Sequence, residues 1–526
     1  MNNIQNTYNQ PPMPPQMNIP RPRGWRERWM RRFGMDVAAA PMLKGEMTIP
    51  NWITGKSIVF FFVAMFACWG AFGYVPGFDL WIVAAISVVL FFYGGMAMSK
   101  GWSHDGEKKF LRNIFVVGFV IRLVWILYCY FFLNPNHYGN TYGETADVEG
   151  YIPFGKDLAL WISNGFDLSF EELRKKWMFA NDDFGYPMWL GIVYFIFGSD
   201  NEVFIPFLIK CILSTYCIVC IYRIAKRHYG EGVARMAAIF VALNPNMIYW
   251  CGTMMKEPEM VFLCCLAIDN LDRVLSSGQK YTFKNLLPGI LAGLALMFFR
   301  SALGLIFFMA VFAHIVMVSR RVIGMGKKIM AGLLVAIVLV ISMGDSIRTQ
   351  SQNLIEKVQS DDQQVNMEWR SIREDSDGRK QSFATYASAA VFAPLIFTIP
   401  FPTFNEASSE QVRQVLLSGG SYIKNILSFF VILVMLMMLI SGEWRRHVFI
   451  LAYTVGYHVV LIMSPFAQSG RFHMPVWPMF LLFAAYGVQI AKTNKRVQRW
   501  FPIVLVLEVA VCLVWNWFKL AGRGLI

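Results

Sequence analysis

Apolar residues run along this chain in long unbroken stretches divided by short polar clusters, and the spacing of those clusters sets the expected architecture. A helix needs about 20 apolar residues to cross the hydrocarbon core of a bilayer. Thirteen stretches approach that length, near residues 57–76, 78–97, 113–133, 203–222, 232–250, 257–272, 285–300, 302–318, 328–345, 424–441, 446–464, 474–491 and 499–518. A further run, "YPMWLGIVYFIFG" at 186–198, has 13 residues, about 20 Å as a helix, and reads as a partial or re-entrant element. With the N-terminus in the cytoplasm, the basic loops 100–112, 223–235, 272–284, 320–328, 442–447 and 492–499 all fall on the cytoplasmic side. That is the placement expected of Lys- and Arg-rich loops. Two long loops then lie outside: 134–202, acidic and aromatic, and 346–423, polar to about 385 and afterwards apolar and Pro-broken ("AAVFAPLIFTIPFPTF"). The last stretch is expected to lie along the membrane surface or to dip into it.

The predicted fold is therefore an all-α polytopic membrane protein of about 13 transmembrane helices, with a large first outer loop carrying short interfacial helices. Its expected parts are a disordered, basic cytoplasmic tail (1–50), a two-helix N-terminal membrane addition (51–112), a membrane core (113–345) bearing outer loop 134–202, the outer loop 346–423 with its membrane-surface segment, and C-terminal membrane helices (424–526).

Composition agrees: 56% of the 526 residues are hydrophobic and 16% charged, against about 25% charged in soluble proteins. The net charge of +14 does not point to nucleic acid, because its clusters ("RPRGWRERWMRR", "SRRVIGMGKK", "KTNKRVQR") flank apolar runs and mark topology. The tail "MNNIQNTYNQPPMPPQMNIP" has the composition of a disordered segment. Trp25 and Trp29 in the basic segment that follows fit a short helix on an anionic lipid surface, or a plain topology-setting charge block. The first apolar run starts too far in for a cleaved signal peptide and is expected to be a retained anchor. Nine cysteines sit almost wholly inside apolar runs, where they act as small hydrophobes. No pair of histidines has zinc-ligand spacing. No cofactor is called for, although carboxylates leave a divalent metal open.

The candidate chemistry lies on one side of the threaded chain. The outer loop stretch "GETADVEGYIPFGKDL" (143–158) carries Glu144, Asp147, Glu149 and Asp157. "GTMMKEPEM" brings Lys256, Glu257 and Glu259 to the outer end of a helix, "FFRSALG" brings Arg300, and "SGRFHMPVWP" brings Arg471 and His473. Ionisable groups at a membrane edge are costly unless paired or used, so four segments meeting one face read as a site. A carboxylate there can deprotonate an attacking hydroxyl or amine. Arg and Lys can bind a departing phosphate and stabilise its developing charge. No Walker-type or dinucleotide-binding glycine motif accompanies them, which favours a lipid-linked phosphate over a nucleotide. The chemistry thus points to group transfer from a polyprenyl-phosphate carrier.

In order and spacing, "RLVWILYCYFF", "ADVEGYIPFGKDLALWISNG", "YPMWLGIVYFIFG", "CIYRIAKRHYGEGVARMAAIFVALNPNMIYW", "MMKEPEMVFL" and "GRFHMPVWPMFLLFAAYG" resemble the GT-C class of integral-membrane glycosyltransferases. The closest likeness is to the branch of protein O-mannosyltransferases and aminoarabinose lipid A transferases. It runs from about 113 to 491 and rests on Asp147 four before Tyr151, Tyr186–Pro187 opening an apolar segment, a basic turn ending Tyr229–Gly230, and Gly470, Arg471, Phe472 and Pro475. The resemblance implies an inverting transfer of a sugar from a polyprenyl-phosphate donor to a glycan, lipid or protein acceptor. Asp147 would be the general base, with Glu257 a second catalytic acid. Arg300 and Arg471 would bind the donor phosphate or pyrophosphate, assisted by Lys256, with Tyr151, Tyr186 and His473 as further binding candidates. Many family members have adjacent Asp and Glu in the first loop, whereas Val148 separates Asp147 from Glu149 here.

Each residue also has a plainer reading. Asp147 can cap a helix starting near Gly150, Glu257 and Lys256 can form a local ion pair, and Arg300 and Arg471 can snorkel to lipid phosphate. Tyr151 and Tyr186 can be interfacial anchors, and His473 structural. Two other functions fit part of the pattern. A polysaccharide polymerase or O-antigen ligase would place its essential arginines in 346–423 (Arg348, Arg370, Arg373). A lipid-linked glycan flippase or transporter would show inverted repeats and ionisable groups at mid-membrane; the sequence gives no convincing repeat, and the notable charges fall near helix ends. No N-x-[ST] sequon occurs in the chain. The expected location is a bacterial plasma membrane, multi-pass, with a cytoplasmic N-terminus and an outer-face site.

Overall fold

A computed structural model describes residues 48–72, 78–143, 148–166, 173, 184–276, 282–318, 409–462 and 470–521. The expected tail, the predicted span 328–345, and loop 346–423 up to residue 408 lie outside these. All regular structure among the described residues is helical. Helix α1 (Asn51–Phe72) is followed by α2 (Phe78–Val89), which passes through a π turn into α3 (Gly95–Gly101). Helix α4 (Glu107–Tyr128) likewise continues through a π turn into α5 (Asn134–Tyr138). Then come α6 (Val148–Ser163), α7 (Gly185–Phe197), α8 (Phe204–Tyr229), α9 (Glu231–Leu243), the short α10 (Pro245–Tyr249) and α11 (Glu257–Ser276). The chain ends with α12 (Phe283–Phe299), α13 (Ser301–Val318), α14 (Ser409–Ser441), α15 (Val448–Ile462), α16 (Gly470–His473), α17 (Trp477–Thr493) and α18 (Lys495–Ala521).

Seven described helical segments are long and apolar enough to cross a membrane: 51–72, 81–101, 107–138, 204–229, 420–441, 470–492 and 495–514. Four shorter apolar helices accompany them. The surface shows which medium surrounds the bundle. On α4, Ile114, Gly118, Arg122 and Ile126 are buried, while Val116, Val120 and Val124 on the opposite side are exposed. Both faces are thus mainly apolar, one meeting protein and the other open, as a lipid-facing helix requires. This is a multi-pass membrane protein.

The described residues give seven full-length spans against the expected thirteen: the runs 285–300, 302–318 and 446–464 form shorter apolar helices, 257–272 falls in a helix that is not among the seven, and the 232–250 run is not one helix. Asn244 precedes Pro245, and a residue before proline is pushed out of the helical region; Asn244 adopts φ −66°, ψ 119° and ends α9 after 13 residues. Its side-chain oxygen accepts from Met247 N at 3.1 Å and so starts α10. At the other limit of the described outer region, α14 begins at Ser409, well before the predicted 424.

At the centre of the bundle, α8 packs on α4, α9 and α11, and α17 on α9 and α14. The 470–492 segment is 94% buried, against 22% for 495–514. The N-terminal pair is built into the bundle, α1 lying on α18 and α2 on α14. One end of the bundle is tied by charge. Glu231 accepts from Tyr222 Oη and Arg235 Nε, and Arg235 also donates to the Asp105 and Trp102 carbonyls. Near by, Asp272 takes Arg227 Nε and lies 2.8 Å from His228 Nε2. The candidate residues lie at the opposite end.

Helix α17 crosses α14 so closely that a Cβ on Gly487 would stand 2.4 Å from the carbonyl oxygen of Phe430. Gly487→Ala is expected to force the helices apart and cost about 1–3 kcal/mol, seen as a lower thermal unfolding midpoint in detergent micelles; an unchanged midpoint would refute the close crossing.

Candidate functional site

Between α10 and α11 the chain leaves helical geometry, running through a 3₁₀ turn (Trp250–Gly252) and an extended strap to Lys256. Every residue from 250 to 256 is buried. Such a backbone can lie inside a membrane protein only where other groups take its polar atoms. Three side chains do so here. Trp125 Nε1 donates to the Tyr249 carbonyl at 3.1 Å, and Asn134 Nδ2 to the Gly252 carbonyl at 3.0 Å. Lys210 Nζ donates to the carbonyls of Thr253 at 2.6 Å and Met255 at 2.8 Å. Arg122 supports the end of α9 just before it, donating to the carbonyls of Val241 and Ala242 and to Ser214 Oγ. The backbone N–H of Met254 also donates to the Tyr142 carbonyl at 3.0 Å.

The strap delivers Glu257 and Glu259 into the first turn of α11, where the exposed N–H groups of a helix start favour negative charge. Both are fully or almost fully buried. Glu257 Oε1 accepts from Arg471 Nε at 2.5 Å across 214 residues of sequence. A local pair with Lys256 does not account for this contact, nor does snorkelling of Arg471 to lipid. Glu257 Oε2 and both Glu259 oxygens have no hydrogen-bond partner among the described residues, and the nearest cation to Glu259 is Lys210 Nζ at 3.8 Å.

Arg300 occupies the break between α12 and α13. Its Nη1 donates to Tyr457 Oη at 3.1 Å, whose hydroxyl donates to the Phe472 carbonyl at 3.0 Å. The guanidinium lies 4.4 Å from the centre of the Phe472 ring. Arg300 therefore meets the same Gly470–His473 turn that carries Arg471. The aromatic candidates form the other flank: Tyr151 meets Tyr186 edge-on at 5.1 Å, Tyr186 stacks on Trp189, and Lys210 Nζ is 3.3 Å from Tyr186 Oη. His473 is buried, with Nδ1 3.2 Å from Lys424 Nζ. Lys256 is buried at the foot of α11.

Seven of the eight candidate residues thus gather at one end of the bundle: Tyr151 and Tyr186 with Lys210 and the strap, Lys256 and Glu257 at the start of α11, and Arg300, Arg471 and His473 around the 470–473 turn. The eighth, Asp147, lies outside the described residues. The chain before it adjoins the strap, where a Cβ on Gly143 would touch Thr253 Cγ2 at 3.3 Å, and α6 begins just after it at Val148. Among the described residues no three His, Cys, Asp or Glu side chains group at metal-binding spacing.

Three buried cations were missed in the sequence, where the charges taken as notable sit at helix ends. Arg122, Lys210 and Lys424 lie within apolar segments. The signal for each is a single cation in an otherwise apolar run, which by default marks a function or a buried partner.

The described residues thus form a helical membrane bundle with a broken inner segment that presents acids and guanidinium groups at one end. Residues 184–343 match the family model of dolichyl-phosphate-mannose-protein mannosyltransferase, a glycosyltransferase family of the GT-C type. The matched segment contains Tyr186, Lys256, Glu257 and Arg300 and leaves Asp147, Tyr151, Arg471 and His473 outside it. No curated protein matches the chain.

Lys210→Met removes one partner of a buried pair and two carbonyl contacts, and is expected to cost about 3–5 kcal/mol. Replacing Glu259 by Leu in the same protein should restore part of the lost thermal unfolding midpoint, since the uncompensated carboxylate goes with it. Strictly additive losses would show that the two side chains do not interact.

Proposed function

We propose that the protein transfers a sugar from a polyprenyl-phosphate-linked donor to a glycan, lipid or protein acceptor, with inversion at the anomeric carbon, on the outer face of a bacterial plasma membrane. The observation that carries this reading is the contact of Glu257 with Arg471, beside Arg300, whose guanidinium lies on Phe472 of the same turn as Arg471. Acid and guanidinium groups from distant segments converge at one end of a bundle whose 184–343 segment matches a mannosyltransferase family. The alternation of basic loops supports an outside position for this end and a cytoplasmic N-terminus.

In the proposed reaction Asp147 accepts the proton of the acceptor hydroxyl or amine as its oxygen or nitrogen bonds to C1 of the sugar. The bond from C1 to the phosphate oxygen breaks on the opposite side, and its electron pair stays with the carrier phosphate. A single displacement of this kind inverts C1. Arg300 is free of any described carboxylate and supplies a charge for the phosphate, using the Phe472 ring as a seat. Arg471 is shared with Glu257, which holds its guanidinium in place. Tyr151 and Tyr186, both buried and packed edge-on, shape the wall of the site beside the strap. Loss of a positioned general base lowers rates by about 10²–10⁴-fold.

Asp147→Asn in the purified protein is accordingly expected to lower donor consumption by about 10²-fold or more, measured with polyprenyl-phosphate and polyprenyl-pyrophosphate sugars, while donor binding persists. Undiminished turnover in the variant would remove Asp147 as the base; absence of turnover by wild type with every such donor would count against glycosyl transfer itself.

A further inference from the structure

Helix α14 carries a lysine that the site described so far does not use. Lys424 is 1% exposed and belongs to the membrane segment 420–441. Its Nζ is 3.2 Å from His473 Nδ1 and 5.5 Å from the centre of the Trp477 ring. None of the described ion pairs includes it. This sets it apart from Arg122 and Lys210, the other two buried cations within long apolar segments. Arg122 spends its protons on backbone carbonyls and Ser214, and Lys210 on two carbonyls and the nearby Glu259. Lys424 has an imidazole and an aromatic face, and no carboxylate within ion-pair distance among the described residues.

Its location says which anion would meet it. His473 ends the 470–473 turn, two residues after Arg471 and next to Phe472, the ring on which Arg300 lies. On the far side of His473 stands His458, with ring centres 5.8 Å apart. The Nδ1 of His458 is 2.7 Å from the Thr454 carbonyl and serves as its donor, and the residue before it is Tyr457, the partner of Arg300. Lys424 is therefore joined through His473 to the turn that already holds both proposed phosphate-binding arginines. A buried cation without a counter-charge costs several kcal/mol, and such a group is retained where a ligand supplies the missing charge.

We infer that Lys424, oriented by His473, is a further phosphate-binding residue of the donor site, and that it answers the negative charge that appears on the carrier phosphate as the sugar leaves. This rests on the glycosyl-transfer reading above. When the bond from C1 breaks, its electrons remain on the phosphate oxygen and the proton of the acceptor goes to Asp147, so the carrier phosphate gains one negative charge whether it is a monophosphate or a pyrophosphate. Arg300 meets the charge already present in the donor. Lys424 meets the additional one, so its contribution is larger in the transition state and product than in the bound donor.

The test uses the full-length protein in lipid nanodiscs and the variant Lys424→Met, which keeps the side-chain length and removes the charge. Turnover of a polyprenyl-phosphate sugar is expected to fall at least tenfold in kcat with KM changed less, and the affinity for polyprenyl phosphate, read by competition without turnover, to fall at least tenfold. The thermal unfolding midpoint should hold or rise, because an uncompensated buried charge has been removed; a lysine retained for packing would lower it instead. Lys424→Arg, which keeps the charge, should retain more turnover than Lys424→Met. Wild-type kcat and polyprenyl-phosphate affinity in Lys424→Met would overturn the assignment. So would a Met variant inactive through loss of fold alongside a folded Lys424→Gln with full turnover. Inorganic phosphate competing as strongly as polyprenyl phosphate would assign the subsite to free phosphate and likewise overturn it. Because the competition measurement needs no turnover, failure of the glycosyl-transfer reading, an inactive wild type, is seen separately from failure at Lys424.

Discussion

The structure depends on the need to satisfy a backbone that stops being helical inside the bundle. From Asn244 to Lys256 the chain turns, narrows to a 3₁₀ turn and runs extended, and almost none of it can reach water. Each unsatisfied carbonyl there would cost about 1–3 kcal/mol. Trp125, Asn134 and Lys210 answer these groups from three different segments, and Arg122 holds the end of α9 just before them. In doing so they lock α4, the first outer loop and α8 against the strap. The break cannot be ironed out into a helix without orphaning these donors in turn, so the interruption and its supports hold each other. The consequence for chemistry is direct: the interruption is what starts α11 at Glu257 and aims two carboxylates, instead of apolar side chains, at the end of the bundle.

How much of this the sequence discloses depends on the range over which each feature is encoded. Apolar run length is local, so nearly every described membrane helix could be read from it, and so could the 13-residue helix at Gly185–Phe197. The clustering of polar residues at alternate loops is nearly as local, and it brought Lys256, Glu257, Arg300 and Arg471 to one face before any contact was known. What could not be read is pairing. Nothing near Glu257 indicates that its partner is Arg471 rather than the adjacent Lys256, since the contact spans 214 residues. The break at Asn244 was encoded locally, in Asn-Pro followed by a capping pattern, and was hidden by the apolar character on both sides of it. The single cations Arg122, Lys210 and Lys424 were visible as letters. Their meaning was not, because an isolated cation in an apolar run has the same appearance whether it holds a carbonyl, a carboxylate or a substrate.

That ambiguity is resolved by asking what neutralises each cation. A guanidinium or ammonium that hands its protons to carbonyls at the end of a helix is balanced by the partial negative charge of those groups; Arg122 is of this kind, and removing it would harm the fold before it harmed any reaction. Lys210 is intermediate, serving two strap carbonyls while standing close to Glu259. Arg300 has a hydroxyl and an aromatic ring but no described carboxylate, and Lys424 has an imidazole and an indole. Hydrogen-bond acceptors without charge orient a cation yet leave its field uncompensated. Along the series from Arg122 to Lys424 the protein thus keeps less of each cation's charge for itself and leaves more for a ligand. The two least compensated members both contact the residue 470–473 turn. A site that must hold an anionic lipid phosphate and then hold it more tightly as the sugar departs needs this kind of reserve, and it is most effective where water is excluded and the surrounding groups are already fixed.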